Sequence, residues 1–472
     1  MIEYWNGFVS LVITSGLAWL GIDILDRHRL LTPLEKTPLS FLLGLGVVAW
    51  EMLNLQLGGQ SFSLRWILIP LFGMMIPLWV GFKAPQPPKG VVQTRGRRTT
   101  DRWSVAEILL LVGIFGEIGF ALTRALLLPM EDFDAVGNWG LKSKAIYLAN
   151  GIPLGFFGND NYRTAHPDYP LLLPLAESYV YYFLGHWNDF VAKWIFPLSL
   201  IACAASLFTT LRRIKLDRKT ALVFVFLLVS IPHFGFQATN GYADILIAAY
   251  FGAAFFYLFL WIRRKESIFL WLSALLSAMA GLTKNEGTVV CLVNGIILVL
   301  ALAADRSCSP SRRWRPFLIY TGILLGVLFP WLVFRFSFDT SNDLINQKNL
   351  ANLFQWNAFV RIKTILYYYQ SHVFNVKNWN LLWLLAIALY LTRVRRIMRS
   401  DQRFILIALG MTFVLYTGAY FVTSYDVAWH LRTSVSRLLV HFVPLLVFGF
   451  ACAYQEESAA LKPAATNCAP PA

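Results

Sequence analysis

Long apolar stretches recur along the whole chain and are separated by short polar connections. Each is close to the roughly 20 residues that an α-helix needs to cross a bilayer. The pattern predicts an all-α polytopic membrane protein with about 13 transmembrane helices. We place them near 8–25, 39–58, 66–82, 104–128, 189–211, 220–236, 242–262, 268–283, 287–304, 317–337, 378–392, 403–423 and 437–454.

A shorter apolar piece at 170–185 contains Pro170, Pro174 and Glu177, which favours an interfacial or re-entrant segment. A full crossing, with one basic loop on the wrong side, is the alternative.

Lys and Arg cluster in connections between the predicted spans, as cytoplasmic loops do. These are 27–36, 83–102, 212–219, 263–265, 306–315 and 393–399. The charge alternation then places the loop 129–168 outside. We expect a multi-pass membrane protein whose unusual polar loops lie on the extracytoplasmic side.

The amino-acid composition supports this class. The chain is 57% hydrophobic and only 14% charged, whereas a soluble domain carries about 25% charged residues. The net charge of +15 is explained by the basic loops, so nucleic acid is not an expected partner. Three units are predicted: an N-terminal three-span addition with a basic cytoplasmic loop at 1–103, a transmembrane domain at 104–455 and a disordered cytoplasmic tail at 456–472.

The outer loop 129–168 carries the most unusual polar residues. Glu131, Asp132 and Asp134 directly follow a span, where ionisable groups usually mark a function. They fit a general base, metal ligands or solvated loop acids. The following run 138–147 predicts an amphipathic interfacial helix with Trp139 at the headgroup level. Its Lys142 and Lys144 suit either a lipid phosphate or simple anchoring.

His166-Pro167-Asp168-Tyr169-Pro170 predicts a rigid segment. A proline fixes its own φ and keeps the residue before it extended, which would hold His166 and Asp168 in place. A purely structural turn is the alternative.

Further charged residues fall at the same predicted outer face. Each one alone fits a snorkelling or paired side chain, but together they indicate one site with acidic and basic groups. An arginine that enters an apolar run is a candidate phosphate fork. The set comprises Asp244, Lys284, Glu286, His430 and Arg437.

At these motifs the sequence resembles the GT-C superfamily of glycosyltransferases that use polyprenyl-phosphate sugars, which includes protein O-mannosyltransferases and lipid A aminoarabinose transferases. The acidic residues of the outer loop, Trp139 with Lys144-Ala145, and His166-Pro167-x-x-Pro170-Leu171 carry the resemblance. Gly241-Tyr242-Ala243-Asp244, Thr283-Lys284-Asn285-Glu286-Gly287 and the segment 429–437 resemble an uncharacterised bacterial branch. The resemblance covers about 104–455, and the three earlier spans depart from the usual layout.

The resemblance implies a GT-C-like catalytic bundle at 104–455 and an inverting transfer of a sugar from a polyprenyl phosphate to an extracytoplasmic glycan, lipid or protein acceptor. It also implies a bacterial inner (plasma) membrane, with the active site facing the periplasm or outside. Asp134 is the expected general base, with Asp132 and Glu131 as further candidates. Lys142, Lys144, His166, Asp168, Asp244, Lys284, Glu286, His430 and Arg437 are the expected donor-phosphate or substrate ligands. A divalent cation such as Mg or Mn fits the acidic residues, but no metal ligand is assigned.

A polytopic transporter or flippase of lipid-linked or anionic substrates is the alternative function. Transporters place their polar groups near the bilayer midplane, often on broken helices. No inverted repeat is visible in the sequence, and the unusual polar residues collect at one predicted face. The position of the site along the helices is therefore the feature that separates the two hypotheses.

Overall fold

The computed structural model describes residues 1–80, 102–305, 313–337 and 358–460. Several predictions fall outside these residues: most of the basic loop 83–102, part of the basic loop 306–315 and the end of the tail. Within the described ranges the structure is helical and contains no strand.

The α-helices are numbered in chain order, and their bounds are as follows: α1 Ile2–Leu25, α2 Pro33–Leu57, α3 Leu64–Val80, α4 Val105–Leu127, α5 Leu141–Ala149, α6 Leu154–Phe157, α7 Leu172–Leu184, α8 Asp189–Ala192, α9 Ile195–Arg213, α10 Arg218–Val229, α11 Pro232–Gln237, α12 Asp244–Arg264, α13 Ser267–Thr283, α14 Asn285–Ala304, α15 Arg315–Phe336, α16 Ala358–Val373, α17 Val376–Trp379, α18 Leu382–Met398, α19 Arg403–Val422, α20 Val427–Val440 and α21 Val443–Ala460. A π-helix at Ala135–Gly140 precedes α5, and a 3₁₀-helix covers Asp160–Ala165.

Many of these helices are long and apolar enough to cross a membrane. Eight such helices occur in the described part of the chain, or up to nine if α20 and α21, which meet at a 43° bend, form one span. The prediction of an all-α multi-pass membrane protein is therefore confirmed. The number of about 13 spans and the GT-C-like arrangement stay predictions.

Helix α12 is the centre of the bundle. Its side chains are buried continuously from Asp244 to Trp261, and α9, α13, α14 and α21 pack around it. An all-apolar helix can face either lipid or protein, and here protein covers it on every side. The 21 residues of α12 span about 31 Å at a rise of about 1.5 Å per residue.

Helix α7 forms where the short apolar piece 170–185 was predicted. It has 13 residues and so is about 20 Å long, less than the roughly 30 Å of the hydrocarbon layer. Gly185, in the left-handed region with φ 80°, ends it. The length agrees with a segment that does not cross alone.

The first helices pack into the same bundle as the rest of the chain. The Tyr250 hydroxyl on α12 donates to the carbonyl of Leu42 on α2 at 2.7 Å. Similarly, the Tyr179 hydroxyl on α7 donates to the carbonyl of Ser10 on α1 at 3.1 Å. The boundaries predicted at 103 and 455 stay predictions.

The end of α12 opposite Asp244 carries a network of ion pairs built from the basic loops. Arg263 pairs with Asp401 at 3.1 Å, Lys265 pairs with Asp305 at 2.9 Å, and Arg213 pairs with Glu35. The basic connections therefore meet at one end of the bundle, which we call the basic end. Which side of a membrane it faces stays a prediction.

Candidate functional site

Five predicted site residues form one continuous chain of alternating charges at the Asp244 end of α12. Arg437 lies between Asp134 and Asp244, and its Nε donates to Asp244 Oδ2 at 2.9 Å. Lys284 Nζ lies 2.9 Å from Asp244 Oδ1 and 2.8 Å from Glu286 Oε1. We call this set the charged cluster. Asp244, at its centre, is fully buried, whereas about a fifth of the Asp134 side chain is exposed.

His441 and Tyr416 extend the network of polar contacts beyond Asp244. His441 Nε2 lies 3.2 Å from Asp244 Oδ1, and its Nδ1 lies 2.9 Å from the Tyr416 hydroxyl. Both side chains are buried. Asp244 therefore contacts three groups, Arg437, Lys284 and His441, and its position is fixed from several directions.

Close backbone packing brings Asp134 to α12. Gly241 has φ 88°, a conformation that side chains disfavour, and a Cβ there would lie 3.0 Å from the Cβ of Ala135. The π-helix that begins at Ala135 thus rests against the turn before α12. Asp134, one residue earlier, is placed beside Arg437.

A one-residue corner places Lys284 and Glu286. Helix α13 ends at Thr283 and α14 begins at Asn285, with only the extended Lys284 between them. The two helices approach so closely at Gly287 that a Cβ there would lie 1.7 Å from the Ala280 carbonyl oxygen. The corner therefore depends on glycine at this position.

Lys142, His166 and Asp168 form a second layer beside the cluster. Lys142 Nζ donates to the His166 carbonyl at 2.7 Å and lies over the rings of Trp139 and Tyr169. Asp168 Oδ2 accepts from Asn285 Nδ2 at 2.8 Å, which links this layer to the corner. Burial lowers the pKa of Lys142 to about 7, and the charges of Asp168 and Asp134 oppose this shift.

Two local expectations for this layer were wrong. His166 is not extended: its φ is 47°, in the left-handed region, and its carbonyl also accepts from the Tyr169 amide at 3.0 Å. This turn, closed by two hydrogen bonds to one carbonyl, outweighs the preference of a residue before proline. Trp139 and Lys142 are fully buried rather than at a headgroup surface, because α5 packs against α7.

The other predicted residues lie apart from the cluster. Glu131 and Asp132 line a separate small cleft. Lys144 Nζ lies 3.7 Å from the centre of the Trp187 ring. His430 is at the edge of the site, where its Nδ1 lies 3.0 Å from the Thr423 hydroxyl and its ring meets Tyr420 edge-on.

The sequence interpretation missed several members of the site. His441 is a lone histidine in an apolar run, and Tyr416 lies within a predicted span; the polar character of that histidine was the available signal. Asn285 and Tyr242 belonged to motifs that were recognised, but neither was assigned. The Tyr242 ring lies under the Arg437 guanidinium at 4.2 Å.

The cluster holds several charges at a protected position, and its two cations are already paired with three carboxylates. The predicted donor-phosphate ligands Lys284 and Arg437 are both in ion pairs. Within the described residues, no group of three or more His, Cys, Asp or Glu side chains is placed to hold a metal ion. Asp134 and Glu286 are the cluster carboxylates with exposed surface.

The fold and the site together define a multi-pass α-helical membrane protein with a buried charged cluster at one end of its bundle. No family model, no curated protein and no solved structure matches the chain.

Proposed function

We propose that the protein is an integral-membrane inverting glycosyltransferase that moves a sugar from a polyprenyl-phosphate donor to an extracytoplasmic acceptor. The observation that carries this proposal is the position of Asp134. Its carboxylate is partly exposed, is held by Arg437 and stands at the accessible end of a buried charged cluster. A positioned carboxylate beside lipid is what a reaction between a lipid-borne donor and a hydroxyl acceptor requires.

In this proposal Asp134 takes the proton of the acceptor hydroxyl as the hydroxyl oxygen attacks the anomeric carbon. A new carbon–oxygen bond forms while the bond from the anomeric carbon to the phosphate oxygen breaks, and the electron pair leaves with the phosphate. Attack from the opposite face inverts the configuration. Arg437 fixes the orientation of Asp134, and Asp244 fixes that of Arg437.

The location of the cluster supports an enzyme over a transporter. Asp244 is the first residue of α12, and Lys284 lies at the corner before α14. The charges thus sit at helix ends, whereas transporter sites lie near the midplane. One feature favours the transporter: α20 and α21 meet at a 43° bend, and the buried His441 lies at that break.

The function is tested with purified protein, a panel of polyprenyl-phosphate sugars and a membrane extract as the source of acceptor. Mass spectrometry should detect a product that has gained one sugar. Asp134→Asn keeps the size of the side chain but removes the base, so the turnover should fall by about 10²–10⁴. Binding of the donor should be unchanged.

Asp401→Asn is the matched control, because Asp401 pairs with Arg263 at the basic end, away from the charged cluster and its neighbouring cleft. It should leave turnover within about twofold of the wild type under saturating donor. Full activity of Asp134→Asn would remove the base from this position. Transport of a lipid-linked substrate without any glycosylated product would favour the transporter hypothesis over the glycosyltransferase hypothesis.

A further inference from the structure

The charged cluster lacks a cation that could receive a phosphate. Arg437 is paired with Asp134 and Asp244, and Lys284 is paired with Asp244 and Glu286. Three carboxylates face two cations, so a phosphate placed here would be repelled and would have to displace an ion pair. The anionic part of a ligand must therefore bind elsewhere.

A cleft beside the cluster offers two cations that have no carboxylate partner. Arg124, Glu131, Asp132 and Lys193 line it together with Phe236 and the polar residues Thr239 and Asn240. Among the residues that the structure describes, neither Arg124 nor Lys193 has a carboxylate oxygen within 4.0 Å. We call it the Arg124–Lys193 cleft.

Both cations keep hydrogen-bond donors for a ligand. Lys193 is buried, and its Nζ donates to the carbonyls of Leu128 at 2.7 Å and Pro129 at 3.1 Å. An ammonium has three donors, so one is left. The Arg124 guanidinium lies over the Phe236 ring at 5.4 Å, and stacking on a ring leaves the in-plane N–H groups available.

We propose that the Arg124–Lys193 cleft binds the phosphate of a polyprenyl-phosphate lipid. The identification of this lipid as the sugar donor rests on the proposed function. A fork-shaped guanidinium next to an ammonium suits a phosphate monoester or diester. The carbonyls that hold Lys193 belong to Leu128 and Pro129, directly after the C-terminus of α4, where the helix dipole also favours a cation.

The position of the cleft fits a ligand that is attached to lipid. Arg124 lies in the last turn of α4, a candidate span with only 22% of its apolar window buried. Its side chains Phe115, Phe120 and Leu127 are exposed, and exposed apolar groups of a spanning helix face the hydrocarbon. A phosphate carried by an isoprenyl chain can reach the cleft from the side without leaving the bilayer.

The cleft also lies next to the proposed base. Asp132 in the cleft is two residues before Asp134 in the cluster, and Asn240 in the cleft is two residues before Tyr242. Tyr242 in turn stacks on Arg437. A phosphate in the cleft would thus place the group attached to it toward Asp134. Glu131 and Asp132 in the cleft disfavour a highly charged anion. A polyprenyl-phosphate sugar is a phosphodiester with a single negative charge, so they oppose it less than they oppose inorganic phosphate.

Binding of a short-chain isoprenyl phosphate to the purified full-length protein in micelles tests this site. The matching isoprenol and inorganic phosphate serve as probes that lack the charge or the chain. The wild type should bind the isoprenyl phosphate at least tenfold more tightly than either. Arg124→Gln should weaken this binding tenfold or more, since it removes the cation without touching a backbone contact.

Lys193→Met should have the same effect. Lys193→Arg, which keeps the positive charge, should retain part of the affinity. Arg432→Gln, an exposed arginine on the same helix as Arg437, is the control and should bind like the wild type. Unchanged affinity in both Arg124→Gln and Lys193→Met would overturn the site. Equal affinity for inorganic phosphate would also overturn it.

The test separates this inference from the proposed function. If isoprenyl phosphate binds and the two variants lose it, the cleft is a lipid-phosphate site even when no glycosylated product forms. If sugar transfer occurs but the variants transfer with an unchanged KM for the donor, the enzyme stands and the cleft does not hold its phosphate.

Discussion

Asp244 is the residue on which the cluster depends most. It is fully buried and contacts Arg437, Lys284 and His441. Removing its charge leaves two buried cations with fewer partners, and breaking a buried pair in this way typically costs about 3–5 kcal/mol. Asp244→Asn should therefore lower the unfolding midpoint of the purified protein in micelles by many degrees, as followed by tryptophan fluorescence.

Asp401→Asn is the matched control for that change. Asp401 pairs with Arg263 at the basic end, where both side chains are substantially exposed. Exposed ion pairs contribute about 0–1 kcal/mol, so this variant should unfold close to the wild type. Equal loss in the two variants would mean that the Asp244 network is no stronger than a surface pair.

Lys142 should make the stability of the folded protein depend on pH above about 7. Burial lowers its pKa from 10.5 to about 7 in the folded state. Between these two values the unfolded chain binds a proton that the folded protein does not, so this group makes stability rise with pH from about 7 to 10.5. Below pH 7 both states are protonated and the contribution is flat.

Lys142→Met should remove that rise. As the pH falls from 10 to 7, the unfolding midpoint of the wild type should therefore fall relative to that of the variant. Lys144→Met is the control, because Lys144 rests on Trp187 outside the buried layer. Its difference from the wild type should be the same at each pH. Parallel curves for wild type and Lys142→Met would show that the pKa of Lys142 is not lowered in the folded protein.

At the scale of single residues, sequence reasoning found all five members of the charged cluster but not their pairing. Asp134, Asp244, Lys284, Glu286 and Arg437 were all predicted, because charge beside apolar runs is costly and therefore conspicuous. Their mutual neutralisation depends on which helices meet, and nothing in the local sequence encodes that. For the same reason the sequence alone could not place Asp132 in the cleft and Asp134, two positions later, in the charged cluster.

Among the helices, the corner between α13 and α14 is the most constrained element at the site. Gly287→Ala places a Cβ 1.7 Å from the Ala280 carbonyl oxygen, and backbone on both sides cannot move aside easily. Overpacking typically costs about 1–3 kcal/mol. The variant should unfold at lower temperature and lose activity together, since the corner carries Lys284 and Glu286.

Gly295→Ala is the control on the same helix, where a Cβ would meet nothing within 4 Å. Alanine is favoured over glycine inside a helix by about 1 kcal/mol, so this variant should be as stable as the wild type or more so. A Gly287→Ala protein with the stability of Gly295→Ala would mean that the two helices do not approach this closely.

The sequence predicted helices better than it predicted their local environment. Apolar runs gave the helices at α4, α12 and α14 directly, because length and hydropathy suffice for a spanning helix. The expected interfacial helix at 138–147 instead became a π-helix followed by a buried α5. Burial of that helix depends on α7 packing over it, which an amphipathic pattern alone does not reveal.

For the whole molecule, the testable feature is the separation of the two polar ends. The charged cluster and the basic end lie at opposite ends of α12. By the positive-inside rule the basic end should face the cytoplasm. A cysteine at Asn161, in a variant without its native cysteines, should react with an impermeant reagent in intact cells, and one at Arg399 should react only after permeabilisation.

The reverse labelling pattern would invert the orientation and place the cluster in the cytoplasm. Labelling of both positions in intact cells would mean that the two ends are not on opposite sides. Either result would remove the extracytoplasmic acceptor from the proposed reaction, whereas the helix packing would be unaffected.

The length of α12 has a further consequence for how the protein meets its bilayer. Because this helix is enclosed by others along its whole length, it cannot tilt to suit a thicker membrane without moving its neighbours. The distance between the two charged ends is thus fixed at about 31 Å by the length of α12. A bilayer of unsuitable thickness would have to deform around the protein, so lipid chain length becomes a variable that sets how deep the charged cluster lies.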